Sequence, residues 1–300
     1  MNPVVAIWRQ PLVQAFFNDP ITIISAAFLL LVVLAAIFAP IVVPHDPKDQ
    51  QLPLRHLAPF SSGTATDYTV SPPVKEGRFF ILGTDHLGRD YLSRLIYGGR
   101  ISLAVGVLGV LFSSLIGVSL GLVAGYFRGT VDDIIMRVVD VFMSVPLLLL
   151  ALMIIFILGP SFTNILIVFA LARWMLFCRV TRGMVMSLRE QAFIDAAKAL
   201  GCTDQRIILR HVLPNLIAPI LTLAALEVPR NILTESTLSF LGFGIQPPDS
   251  SWGLMLSQGR QYIITAWWVV VIPGVAIFLT ALSFNLFGVW LRAVTDPLQR

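Results

Sequence analysis

Three ionisable residues sit where few are tolerated. Glu227, Arg230 and Glu235 lie inside the apolar stretch 216–241. A charge at the centre of a bilayer costs at least about 2.5–3.5 kcal/mol on insertion scales, so each needs a partner, a water-filled cavity or an end position. Glu227 and Arg230, three apart, share a helix face and can pair. Alternatively, all three line a polar translocation path. Arg173, in a neighbouring apolar stretch, is a further candidate for that lining, or a partner for Glu235. Other chemistry finds no constellation. There is no G-x-x-x-x-G-K-[ST] to cradle nucleotide phosphates, no C-x-x-C and no H-E-x-x-H. His45, His56, His86 and His211 are scattered, and no Ser/His/Asp set or paired carboxylates mark a span end. Cys178 and Cys202 cannot build a disulfide framework and read as free thiols. The chain is expected to be no enzyme and to bind no metal or other cofactor itself.

The elements that must position these residues follow from composition. Of 300 residues, 56% are hydrophobic and 13% charged, where soluble domains carry about 25% charged. Mean hydropathy is +0.83, which excludes a water-soluble fold. Six stretches reach the roughly 20 apolar residues that a spanning helix needs: 21–43, 101–127, 139–159, 162–180, 216–241 and 266–291. The first is too long for a cleaved signal and reads as a retained signal-anchor. With the N-terminus in the cytosol, the inner segments hold Arg9, Arg128, Arg137, Arg179, Arg182, Arg189, Lys198, Arg206, Arg210, Arg292 and Arg300. The short outer loops hold only Arg260. That asymmetry places both termini inside. It also explains much of the net charge of +4 without nucleic acid.

Within the second stretch, Ser113, Gly117, Gly121 and Gly125 recur every four residues, a spacing that admits another helix at close range. Pro146, Pro219, Pro229 and Pro273 predict kinks. The long outer loop 44–99, rich in Pro, Ser, Thr and Gly, reads as irregular. At its end, Tyr91, Leu92, Leu95 and Ile96 predict a short interfacial helix with Tyr91 and Tyr97 at headgroup depth.

Segment 187–214 predicts a helical hairpin on the cytosolic side. Ser187 and Glu190 match a capping box. Ala192, Phe193, Ala196, Ala197 and Leu200 follow at helical spacing. Gly201 stops that helix. Thr203 opens a second through Ile207, Ile208 and Val212, bounded by Pro214. Its small residues suit contact with another protein, or packing on its own bundle.

Four motifs carry a resemblance. Asp195-Ala196-Ala197, Gly201 and Leu213-Pro214-Asn215 resemble the EAA loop of ABC importer permeases, with Asp195 where the family more often has Glu. Gly83-Thr84-Asp85, Gly88, Arg89 and Asp90 resemble the G-T-D-x-x-G-R-D signature of dipeptide/oligopeptide/nickel permeases. Glu235 to Gly244, Gln246-Pro247-Pro248 and Ser251-Trp252-Gly253 form the third. The fourth is Phe284-Asn285, Gly288, Leu291-Arg292 and Asp296-Pro297, where Val289 and Ala293 replace aspartates usual in the family.

The resemblance is to the C-type permease subunit. It implies an all-α integral membrane protein with six helices and a type I importer fold. The expected organisation is an N-terminal segment with the first span and outer loop (1–97), a five-helix core (98–292) and a tail (293–300). It implies a second permease, two cytosolic ATPases, an external binding protein, and a prokaryotic inner membrane. Di- or oligopeptides are the expected cargo, with nickel chelates and glutathione open. ATP would close the ATPase pair, move the loop around Asp195–Gly201 and rock the spans. Asp85, Arg89 and Asp90 either fix the outer loop or meet the binding protein, and fixing is the expectation. The rival is an ion-coupled secondary transporter using Glu227 and Glu235 as relay, opposed by the small number of spans and the lack of an evident inverted repeat.

Overall fold

The computed structural model describes residues 16–17, 19–67 and 74–295. Arg9, Asp296, Pro297 and Arg300 lie outside them. Among the described residues, five helices are long and apolar enough to cross a membrane, and a sixth crossing exists if one bent pair counts as a span. Helix α1 (Pro20–Ile37) begins where the Asp19 carboxylate accepts the Ile21 N–H, with Pro20 at its first position. A short α2 (Ala39–Val42) follows. The outer loop holds strands β1 (Ser61–Asp67) and β2 (Val74–Phe80). Then come α3 (Tyr91–Phe127), α4 (Gly129–Met143), α5 (Leu147–Leu158) and α6 (Phe162–Arg189). The hairpin contributes α7 (Ala192–Ala199) and α8 (Asp204–Ile207). Helix α9 (Leu213–Phe240), α10 (Trp252–Gly259) and α11 (Trp268–Thr295) follow.

The glycine stripe has a partner. A Cβ on Gly121 would meet the Cys178 carbonyl at 2.6 Å and the Thr181 Cβ at 2.8 Å. On Gly125 it would meet the Arg182 carbonyl and the Val185 Cβ, both at 2.8 Å. Helices α3 and α6 therefore run parallel with backbones in near contact, which dispersion and tight packing reward in lipid. Farther along, Gly106 abuts Ile232 and Gly109 abuts Asn231 and Phe169, so α9 closes on the same helix.

Two expected elements change. The stretch 139–159 is not one straight helix: α4 and α5 meet at 87°, so a crossing here is a broken one made of both. Pro146 forces its predecessor out of the helical region and lacks the N–H to continue the ladder. The 12-residue α5 is only about 18 Å long, too short for a hydrocarbon core of about 30 Å. Nor is there a separate interfacial helix at residues 90–97, because α3 runs through it without a break. Tyr91 is buried, and its hydroxyl donates to the Val269 carbonyl at 2.6 Å.

The long loop is also more ordered than its composition suggests. Strands β1 and β2 pair antiparallel from Ser61↔Phe80 to Asp67↔Val74. Leu54, Ala65 and Phe80 form a small core beneath them. The amide of Gln51 pins the hairpin, donating to the Thr66 carbonyl at 2.9 Å and accepting the Thr66 N–H at 3.1 Å.

The Gly83–Asp90 segment joins this unit to α3. Gly83 and Gly88 have φ of +76° and +75°, and a Cβ on either would strike the backbone of Leu57 or Gln51. The Thr84 hydroxyl donates to the Leu54 carbonyl and accepts the Leu57 N–H at 2.8 Å. Asp85 is the hub. Its carboxylate accepts Leu87 N–H at 2.8 Å, Arg89 N–H at 3.0 Å and Arg89 Nε at 2.7 Å, and pairs with Arg94. Burial pushes its pKa up, but Arg94, Arg89 and the two backbone donors outweigh that and hold it below the ordinary carboxylate value. Asp90 caps α3 by accepting the Ser93 N–H at 2.9 Å.

Two outcomes are expected. Gly121→Val lowers stability by about 1–3 kcal/mol through overpacking. Gly183→Ala, on an open face of α6, stays within about 0.5 kcal/mol. Thermal unfolding in detergent compares them. Asp85→Asn strands two buried guanidinium groups and costs about 3 kcal/mol at pH 7. Because folding depresses the Asp85 pKa, its contribution is complete above the unfolded value of about 3.9 and fades as pH falls through the folded value. The gap between wild type and variant therefore shrinks when unfolding is repeated below about pH 4.

Candidate functional site

The hairpin has two faces. Ile194 and Ala197 of α7, with Ile207 and Val212 beyond, are buried against Leu122, Tyr126, Val185 and Leu216. Ala192, Ala196 and Gly201 are exposed, as are Phe193 at 43% and Leu200 at 84%. The small and apolar residues thus divide, one set packing on the chain's own bundle and the other pointing away from it. Asp195 is exposed and lies 3.3 Å from Lys198.

Local geometry accounts for the turn. The Cys202 N–H donates to the Ala197 carbonyl at 3.1 Å and the Gly201 N–H to the Lys198 carbonyl at 2.9 Å. With Gly201 at φ +75°, this is a Schellman closure in which glycine takes the left-handed position. The start of the hairpin departs from expectation. Ser187 and Glu190 form no capping box, because α6 continues to Arg189 and Glu190 ends it. Glu190 accepts from Arg128 at 2.9 Å instead. Pro214 does not bound the second helix either. A π-turn, Ile208–Val212, leads from α8 straight into α9, accommodating a residue that cannot donate to the Arg210 carbonyl. The Asn215 amide donates to the neighbouring His211 carbonyl at 2.6 Å.

Side chains from distant parts of the chain hold the hairpin. The Tyr126 hydroxyl donates to Asp204 at 2.6 Å, and Arg189 bonds the Tyr126 carbonyl while its guanidinium lies 5.4 Å from the ring centroid. Arg182 makes a two-pronged pair with Asp132. None of these links has a signal in local spacing.

At mid-span, Glu227 is buried and accepts from two arginines: Arg173 Nη1 at 3.0 Å and Arg230 Nη1 at 2.5 Å. Arg173 also donates to Thr234 at 3.2 Å. Arg173 thus partners Glu227, not Glu235. Arg230 is 62% exposed on the outside of α9. Glu235, fully buried, accepts from Ser239 at 2.6 Å and Ser102 at 3.4 Å. Ser239 accepts the Ile245 N–H at 3.1 Å, Ser102 the Trp252 N–H at 3.2 Å, and Ser251 caps α10 at Leu254. Glu235 is therefore the centre of a serine network tying α3, α9 and α10 together. Only the Ser239 and Ser251 members belong to a recognisable motif.

Comparison with known proteins agrees with this architecture. Residues 117–300 match the family described as binding-protein-dependent transport system inner membrane component, and residues 7–59 match the N-terminal TM domain of oligopeptide transport permease C. The di/tripeptide transport system permease protein DppC of Pseudomonas aeruginosa is 39% identical over 95% of this chain and 90% of its own length. The dipeptide transport system permease protein DppC of Alkalihalophilus pseudofirmus is 39% identical over 98% and 90%. An inward-facing structure of the MetNI methionine ABC transporter superposes with a TM-score of 0.55 at 17% identity, covering 68% of this chain and 97% of that one, a likeness of fold. A bundle of apolar spans, a helical hairpin with one exposed face and matches that run the length of the chain converge: the protein is a member of the family of binding-protein-dependent transport system inner membrane components.

Proposed function

We propose that the chain is one of two permease subunits of an ATP-driven peptide importer in a prokaryotic inner membrane. The observation that carries this reading is the outward face of the hairpin. Ala192, Phe193, Ala196, Leu200 and Gly201 offer a small, apolar surface on a turn whose geometry is fixed from within. A cytosolic ATPase pair docks there and supplies the hydrolysis, so the chain itself binds no nucleotide. Orientation by Lys and Arg puts the hairpin and both termini in the cytosol. The β1–β2 unit and the Gly83–Asp90 segment then face outward, toward a binding protein that delivers cargo. The buried state of Asp85, Arg89 and Asp90 supports a positioning role for the signature rather than direct contact with that protein. Peptides are the cargo class, a reading supported by the names of the relatives. Glu227 and Arg230 mark the transport path in this scheme. Glu235, sealed within the bundle, supports it from behind.

The closing reaction of the ATPases is transmitted as motion. The inward face of the hairpin, Ile194, Ala197 and Ile207, is keyed to the ends of α3, α6 and α9, so displacement of the docked face moves those ends together.

Co-purification tests the docking. Ala197 is buried, so a charge there would damage the hairpin itself. Ala196→Asp with Leu200→Asp alters only the exposed face. The double variant is expected to retain its fold by detergent chromatography and thermal unfolding while recovery of ATPase subunits falls at least about tenfold, a loss near 1.4 kcal/mol. Undiminished recovery would place the ATPase contact elsewhere.

A further inference from the structure

The mid-span arginines are out of balance with the acid they share. Arg173 and Arg230 both bond Glu227, one on each carboxylate oxygen. Two guanidinium cations against one carboxylate leave one positive charge over. Glu235, two turns farther along α9, spends its oxygens on Ser239 and Ser102 and touches neither arginine. The excess charge is not hidden. Arg173 is 15% exposed and Glu227 1%, but Arg230 is 62% exposed. Counting along α9, Arg230 lies about 15 Å from Phe240 and about 25 Å from Leu213, deep within the span. An unbalanced cation at that depth cannot rest against lipid without a cost of several kcal/mol. It must face water, an anion, or both.

We propose that Arg230 is a binding station for the carboxylate of the cargo as it crosses, resting on the peptide-import reading above. Guanidinium binds carboxylate through two parallel hydrogen bonds, a geometry that a free peptide C-terminus fits. Glu227 fixes one edge of the Arg230 fork at 2.5 Å, and Arg173 holds Glu227 from the other side while donating to Thr234 on the next turn of α9. The other edge faces out. Sharing Glu227 with Arg173 weakens the hold of that acid on Arg230, so an arriving carboxylate restores neutrality without first breaking a closed pair. One leftover charge also suits release: a single station, not a ring of cations, detains an anion only briefly.

The test uses the assembled importer in vesicles, with its binding protein saturated by a free-acid dipeptide. Uptake per ATP hydrolysed is expected to fall at least about fivefold in Arg230→Gln and to recover only in part in Arg230→Lys, which keeps the charge but not the fork. An unchanged ratio in Arg230→Gln, or an equal loss in both variants, overturns the proposal. A second measurement separates cargo from a protein partner. In Arg230→Cys, a water-soluble anionic methanethiosulfonate is expected to modify position 230 in the assembled complex, read by mass spectrometry. Modification in the isolated subunit but none in the complex overturns the proposal and assigns Arg230 to a contact with the second membrane subunit. Should wild-type vesicles take up no dipeptide, the peptide reading itself fails, and the labelling result decides Arg230 separately.

Discussion

The near contact of α3 and α6 sets the dimension from which the rest of the bundle is built. With no water to expel between helices in lipid, association rests on packing and on hydrogen bonds. Glycines at 117, 121 and 125 remove the side chains that would hold the two backbones apart. Once α6 lies in that seat, Arg173 is carried to a fixed height beside α9. Gly106 and Gly109 then admit α9 to the same side of α3. The result is a three-helix centre in which Glu227 and Glu235 of α9 face inward, where partners exist.

That centre solves two electrostatic problems in different ways. Glu227 is met by cations from two helices, so its burial is offset by charge. Glu235 pairs with no cation among the described residues and is met by hydroxyls, which spread one carboxylate over weak donors. The first arrangement leaves a charge exposed on α9. The second welds α3 to the start of α10 and leaves nothing exposed. Two acids on the same helix, eight residues apart, therefore belong to different parts of the machine.

Much of this is legible in the sequence, and the rest fails for identifiable reasons. Glu227 and Arg230 sit three apart, so their pair can be read from helical geometry. Arg173 and Glu227 are separated by 54 positions, and nothing local joins them. Gly201 announces its own turn, because few other residues adopt that backbone. Ser187 and Glu190 mislead because a capping pattern says nothing about whether the preceding helix has ended. Proline is equally ambiguous. Pro146 breaks a span, whereas Pro219 and Pro229 lie inside α9, and surrounding packing decides between these outcomes. The β1 strand, Ser-Ser-Gly-Thr-Ala-Thr-Asp, carries few of the residues that mark strands and owes its form to Gln51 and the small core beneath it.

The passage from α8 through the π-turn into α9 has a mechanical consequence. Residues 204–240 form one rod of 37 residues, about 55 Å from end to end. The seat of α9 against Gly106 and Gly109 lies closer to the far end than to the hairpin, and a rod turning about it would have a long arm and a short one. A lever so placed trades travel for force. A wide swing at the hairpin becomes a short, strong displacement beside Ser102 and α10.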